Sequence, residues 1–276
     1  MKQTTIGFIG AGNMARSLAG GLIANSWSPE RIMLSDPDPQ QLRAIAGRLG
    51  VATRPANPEV AAASDLLILA VKPQVLRTIA KEIAPAVQRR KPLVLSIAAG
   101  VRLPDLERRL GGEVALVRAM PNTPALIGAG ATALCANARV GNDRRELAEA
   151  VLRSVGVTVW LKDEALMDVV TALSGSGPAY FFLFMEALER AAVRGGLDQA
   201  TARLLTLQTA FGAAKMALEI GEEPERLRVG VTSPGGTTER ALATLTEGGF
   251  ETLVERALEA AAARSRELAR MLGEAP

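Results

Sequence analysis

Two segments of this 276-residue chain hold residues arranged for ligand chemistry. The first is Ile6-Gly7-Phe8-Ile9-Gly10-Ala11-Gly12-Asn13-Met14-Ala15, an apolar run followed by Gly-x-Gly-x-x-Ala and a helical pattern. In such a segment Gly10 makes a tight turn and Gly12 lets the backbone approach a pyrophosphate. Ala15 is small enough for the helix to pack on the strand. The amides that open the helix then face phosphate oxygens. The second segment is Thr232-Ser233-Pro234-Gly235-Gly236-Thr237-Thr238, ahead of a helical stretch over 239–246. Glycine amides and threonine hydroxyls converge there on a helix N-terminus, whose partial positive charge suits a small carboxylate. An ordinary N-cap with a glycine turn would need one Thr and one Gly. A third junction, Leu173-Ser174-Gly175-Ser176-Gly177-Pro178-Ala179-Tyr180, either caps a helix that has Pro178 in its first turn or leaves room for a ring and a compact substrate.

The chain has no His and one Cys, Cys135. Ser-His-Asp and Cys-His catalysis, His-ligated metals and a disulfide within the chain are thereby excluded, and no metal site is expected. Asp36 stands near the spacing of a ribose-binding acid and argues for NAD, whereas Ser35 with Arg43 would suit a 2′-phosphate. Asp36 could equally start a turn with Pro37. Lys72 either contacts cofactor or substrate or is a solvated residue before Pro73. Asn57 either bonds adenosine or caps the helix that begins at Pro58. Glu164 is either a first-turn acid or a site carboxylate.

Apolar runs at 4–9, 32–34, 66–71, 93–97 and 114–117, separated by helical patterns, predict a parallel sheet covered on both faces. Ligands bind such sheets at the C-terminal strand ends. After about Asp163 helical spacing takes over. The fold expected is an α/β Rossmann-type doubly wound sheet, residues 1–162, followed by an all-helical dimerisation and substrate domain, residues 163–276. The stretch 180–192 is apolar nearly all round in its first half and must be buried on every side, within its own domain or in a helix-swapped dimer. Aromatics are 3% of the chain and its 32 basic and 29 acidic residues are interspersed, so no nucleic-acid partner is expected. No apolar run reaches the ~18–20 residues that span a membrane. One free Cys and no secretory signal predict a cytoplasmic setting.

The segments 6–15 (IGFIGAGNMA), 70–73 (AVKP), 96–100 (SIAAG), 118–124 (RAMPNTP), 173–180 (LSGSGPAY), 212–216 (GAAKM) and 233–238 (SPGGTT) together resemble pyrroline-5-carboxylate reductase from end to end. The resemblance implies reduction of L-1-pyrroline-5-carboxylate to L-proline, the final step of proline biosynthesis. It implies cofactor contacts at Gly10, Ala11, Gly12, Asn13, Met14, Ser35, Asn57, Ala70, Val71, Lys72, Pro73, Ile97, Ala98 and Ala99. It implies substrate contacts at Glu164, Gly230, Ser233, Gly235, Gly236, Thr237 and Thr238, with Thr238 bonding the ring nitrogen as the catalytic residue. The cofactor implied is NADPH, with NADH as the alternative that Asp36 favours. A helix-swapped dimer, extended in some members to a decamer, is implied as well.

Such a reaction has no need of histidine. A cyclic imine takes its proton from water near neutral pH, and the enzyme mainly orients two reactants, worth ~7–11 kcal/mol. Two rival readings remain. A hydroxyacid dehydrogenase would use Lys215 as its base. A nucleotide-sensing regulator would bind the dinucleotide without turnover.

Overall fold

The structure, a computed structural model, describes residues 3–274. The chain forms two compact units, one of residues 1–176 with 261–276 and one of residues 177–260. The strands are β1 (Ile6–Ile9), β2 (Ile32–Ser35), β3 (Ala52–Arg54), β4 (Leu66–Leu69), β5 (Leu93–Ser96), β6 (Ala115–Met120), β7 (Gly130–Ala136) and β8 (Gly156–Trp160). The helices are α1 (Asn13–Ala24), α2 (Pro39–Leu49), α3 (Asn57–Ala63), α4 (Pro73–Arg90), α5 (Leu103–Arg109), α6 (Asn142–Arg153), α7 (Met167–Val170), α8 (Gly177–Arg194), α9 (Gln199–Ile220), α10 (Pro224–Gly230), α11 (Thr237–Glu247) and α12 (Phe250–Glu274).

In the first unit the strands form one sheet in the order β3-β2-β1-β4-β5-β6-β7-β8. Strands β1, β4 and β5 are wholly buried. Their unbroken aliphatic sequences therefore face helices on both sides. One cluster gathers Phe8, Ala15, Leu18, Leu22 and Ile68 on the α1 face. The other gathers Ile9, Leu67, Leu76, Ile83 and Leu116 on the α4 face. This is the doubly wound sheet expected from the sequence.

Three strands go beyond that expectation. β3 is short and at the sheet edge, and it lacks an apolar run. β8 alternates exposure along its length, with Val157 and Val159 outward, as an edge strand does. β7 pairs antiparallel with β6, although every other pairing among the described residues is parallel. The cause is the brief return through the 3₁₀ turn Thr123–Ile127, too short for a crossover helix.

The Ser-Gly-Ser-Gly junction is also different from a capped helix start. Thr171–Gly175 forms a π-turn closed by Ser176 N–H donating to the Thr171 carbonyl. The Thr171 and Ser174 hydroxyls donate to the Met167 and Val170 carbonyls, so they cap nothing. A widened turn frees backbone positions just ahead of Pro178, which has no N–H to donate.

The second unit is all helical. Its α8 keeps Phe181, Phe182, Leu183 and Phe184 exposed, and α9 exposes Leu204, Leu205 and Phe211. Phe184 meets Phe250 with ring centroids 6.4 Å apart. A single protomer thus leaves uncovered the helix whose composition calls for burial all round.

Candidate active site

Strand register aligns Ser35, Ile9, Leu69, Ser96 and Arg118 in one row across β2, β1, β4, β5 and β6. The residues that follow form the C-terminal edge of the sheet: Asp36, Gly10, Ala70 and Ile97. From β1 the chain runs outward through β2 to β3 and then crosses back to β4 on the other side of β1, which makes this edge the topological switch point.

Gly10 has φ +99°, and a Cβ there would lie 2.6 Å from the Ala70 carbonyl oxygen. Its N–H donates to the Ser35 carbonyl at 2.7 Å. The turn is thereby tied to both neighbouring strands and demands glycine. Gly12, the N-cap of α1, has nothing within 4 Å of the corresponding Cβ position and no side-chain cap. The first amides of α1, those of Asn13 and Met14, are left for an anion or water. The α4 terminus is built alike, with exposed Lys72 at its N-cap, Pro73 next, and no side-chain cap. Ala70 and Val71 lead into it. Ile97 N–H donates to the Leu69 carbonyl, and Ala98 N–H to Ser96 Oγ at 3.3 Å, which sets the neighbouring loop through exposed Ala99.

A cleft of about 230 Å³ opens beside this edge, lined by Ile9, Gly10, Pro37, Pro55, Asn57, Val71 and Ile79. Two prolines and three aliphatic side chains make it a slot for a flat ring. Ser35 Oγ, fully buried, donates to Asn57 Oδ1 at 2.8 Å, and Asn57 Nδ2 donates to Glu82 Oε2 at 2.9 Å. Asn57 is the first residue of α3, behind Ala56, so it does not cap that helix. The structure shows Asp36 in the turn. Its Oδ1 accepts from Asp38 N–H, forming the turn, and its Oδ2 accepts from Ala11 N–H at 2.8 Å. The Ala11 amide is therefore held by Asp36. A larger cleft, about 540 Å³, lies on the far side of α1 and shares only Asn13 with residues 10–14. The open Gly12, the uncapped α1 and α4 and the flat slot fit a dinucleotide.

Glu164 serves the frame of the first unit. Its Oε1 accepts from Leu103 N–H at 2.9 Å, capping α5, and from Arg118 Nη1 at 2.8 Å. Arg118 is 5% exposed, so the pair is largely desolvated. Cys135 lies in its field, and its thiol is pushed up first by burial and then by Glu164. Glu164→Ala is expected to lower stability by about 3 kcal/mol and Tm by roughly 6–12 °C, because a buried guanidinium is left unpaired. Calorimetric melting checks this.

The second unit holds the other motif. Gly230 ends α10, and the Thr232 hydroxyl donates to the Arg228 carbonyl. Gly236 N–H donates to the Ser233 carbonyl, Gly235 has φ +71°, and Gly236 is the N-cap of α11 without a side-chain cap. Thr237 and Thr238 are its first two residues, and neither hydroxyl is used as a cap. Gly235 N–H donates to Glu239 Oε2 at 2.7 Å. An acid at the third helical position reaching back in this way is a legible signal. Sequence reasoning missed Glu239 there, gave no role to Arg118 although it opens the 118–124 motif, and missed Glu82, which no local pattern marks.

A doubly wound sheet with uncapped helix ends at its switch point, followed by a helical unit, defines the class of dinucleotide-dependent oxidoreductases. Residues 5–100 match a family model described as NADP oxidoreductase coenzyme F420-dependent. Residues 164–268 match one described as pyrroline-5-carboxylate reductase dimerisation. The chain belongs to the pyrroline-5-carboxylate reductase family. It is 49% identical over 274 residues to the pyrroline-5-carboxylate reductase of Pseudomonas aeruginosa, covering 99% of this chain and 100% of that one. A Coxiella burnetii pyrroline-5-carboxylate reductase structure superposes with TM-score 0.93 at 46% identity, covering 96% and 98% of the two chains. The Plasmodium falciparum pyrroline carboxylate reductase with NADP bound gives 0.86 at 31% identity, covering 98% and 99%. No helix among the described residues is long and apolar enough to cross a membrane.

Proposed function

We propose that this protein reduces L-1-pyrroline-5-carboxylate to L-proline with NAD(P)H, the final step of proline biosynthesis. The observation that carries this reading is the open Gly12 ahead of uncapped α1, in a chain whose full length matches the reductases. The dinucleotide, when bound, supplies the hydride. The Gly12, Asn13 and Met14 amides hold its pyrophosphate at the α1 terminus, as helix N-termini hold anions. Residues 70–73 and 97–99 flank the nicotinamide half, and small side chains at Ala70, Ala98 and Ala99 let a ring lie close.

Ser233, Gly236 and Thr237 receive the substrate carboxylate. Gly235 joins them once Glu239 releases its amide, and Gly230 contributes backbone only. Thr238 orients the ring nitrogen, which arrives protonated from water. Glu164 acts here as a brace through Arg118 and α5. The functional division falls at 162/163, which the family model's start at residue 164 supports.

The exposed aromatic face of α8 and the dimerisation description support a helix-swapped dimer. In it each site combines the Rossmann unit of one protomer with the helical unit of its partner, and dimers assemble further into a decamer. The setting is the cytoplasm. The test of function is steady-state kinetics with pyrroline-5-carboxylate, using NADPH and NADH in parallel. Saturable turnover is expected. Dinucleotide binding without turnover overturns the enzyme reading in favour of a sensor. Light scattering tests the assembly, and a monomer at micromolar concentration overturns it.

A further inference from the structure

We propose that Asp36, seconded by Glu82, makes this chain select NADH over NADPH. The inference rests on the reading that the glycine turn holds a nicotinamide dinucleotide. In this fold the end of β2 meets the adenosine ribose, where a carboxylate receives a 2′-hydroxyl and an arginine accommodates a 2′-phosphate. Asp36 occupies that end. Two backbone N–H groups hold its oxygens, Ala11 on Oδ2 at 2.8 Å and Asp38 on Oδ1 at 2.9 Å. Each oxygen keeps a lone pair for a ribose hydroxyl. The two bonds also fix the charge in place, so a 2′-phosphate cannot displace it by a simple side-chain rotation.

A second carboxylate stands behind the slot. Asn57 is its only lining residue with a polar side chain, and that amide is committed to Ser35 Oγ on one side and Glu82 Oε2 on the other. Glu82 thus stands one hydrogen bond from the slot. No residue lining the slot is basic. Arg54, at the end of neighbouring β3, faces Glu59 at 4.0 Å and donates to the Thr53 carbonyl. Arg43 on α2 and Lys72 at the start of α4 are solvent-exposed and line no part of it. A dianionic 2′-phosphate at the end of β2 would therefore meet the fixed Asp36 carboxylate, with the Glu82 charge behind Asn57 and no basic residue lining the slot.

The test is equilibrium titration of the full-length protein with NADH and with NADPH separately, followed by calorimetry or fluorescence, without substrate. NADH is expected to bind at least about tenfold more tightly. Asp36→Asn keeps the shape and removes the charge, and should bring the two affinities within about threefold by strengthening NADPH. Glu82→Gln retains a partner for Asn57 and should strengthen NADPH about twofold to threefold. Equal or tighter NADPH binding by the unaltered protein overturns the proposal while leaving the reductase reading intact. A ratio unmoved by Asp36→Asn also overturns it. Binding of neither dinucleotide overturns both readings.

Discussion

Thr238→Ala is expected to lower kcat about a hundredfold while the dinucleotide Kd changes less than about twofold. Thr238 is the second residue of α11, half-buried, and its helix has no side-chain cap. A hydroxyl at that position can address a substrate atom while the amides beside it address a carboxylate. Removing it leaves those amides in place, so KM should rise less than kcat falls. A role in folding predicts another pattern, since a lost cap would lower Tm and raise KM together. Thr238→Ser keeps the hydroxyl and should restore most of the activity. Steady-state kinetics beside a dinucleotide titration separate the two cases, and an unchanged kcat removes Thr238 from the mechanism.

Gly10→Ala and Gly12→Ala should fail in opposite ways. At Gly10 the added Cβ meets the Ala70 carbonyl oxygen at 2.6 Å with φ at +99°. Backbone stands against backbone, and relief requires β1 and β4 to part. A loss of about 3 kcal/mol or more is expected, with dinucleotide binding lost alongside it. Gly12 has φ −69°, which any residue adopts, and open space around its Cβ position. Stability should change by less than about 0.5 kcal/mol, whereas dinucleotide affinity should fall by at least about tenfold. The methyl group would occupy the space through which the pyrophosphate approaches. Melting and titration on the same two variants check the pair. Unchanged dinucleotide affinity in Gly12→Ala would remove the turn from the binding site.

Histidine is absent from the whole chain, and the candidate site makes sense of that absence. It consists of backbone amides at helix N-termini, threonine hydroxyls and small side chains. These groups hold and orient anions and rings, and they do not titrate near neutral pH. In the proposed reaction the proton comes with the imine.

Much of this was legible in the sequence because it is local. An unbroken aliphatic run is a strand buried on both faces, whatever lies elsewhere in the chain. Gly-x-Gly-x-x-Ala between a run and a helix is a strand–turn–helix, because the turn's positive φ and the close packing exclude other residues. Helical spacing after residue 163 and the aromatic cluster at 180–184 announced a helical unit with a face to cover. The family motifs added the candidate residues.

What only the tertiary structure decided depends on contacts between residues distant in sequence. Ser35, Asn57 and Glu82 form one hydrogen-bonded chain across 47 positions because β2, α3 and α4 pack together. Asp36 reaches Ala11 because β1 and β2 pair with Ile9 opposite Ser35. Glu164 is drawn to Arg118, 46 residues away, because a buried guanidinium needs a partner. The reversal of β7 follows from the brevity of one loop. Residue types and spacing set which chemistry was available, and the register of the sheet set which of those residues could touch, because a side chain has only a few ångströms of reach.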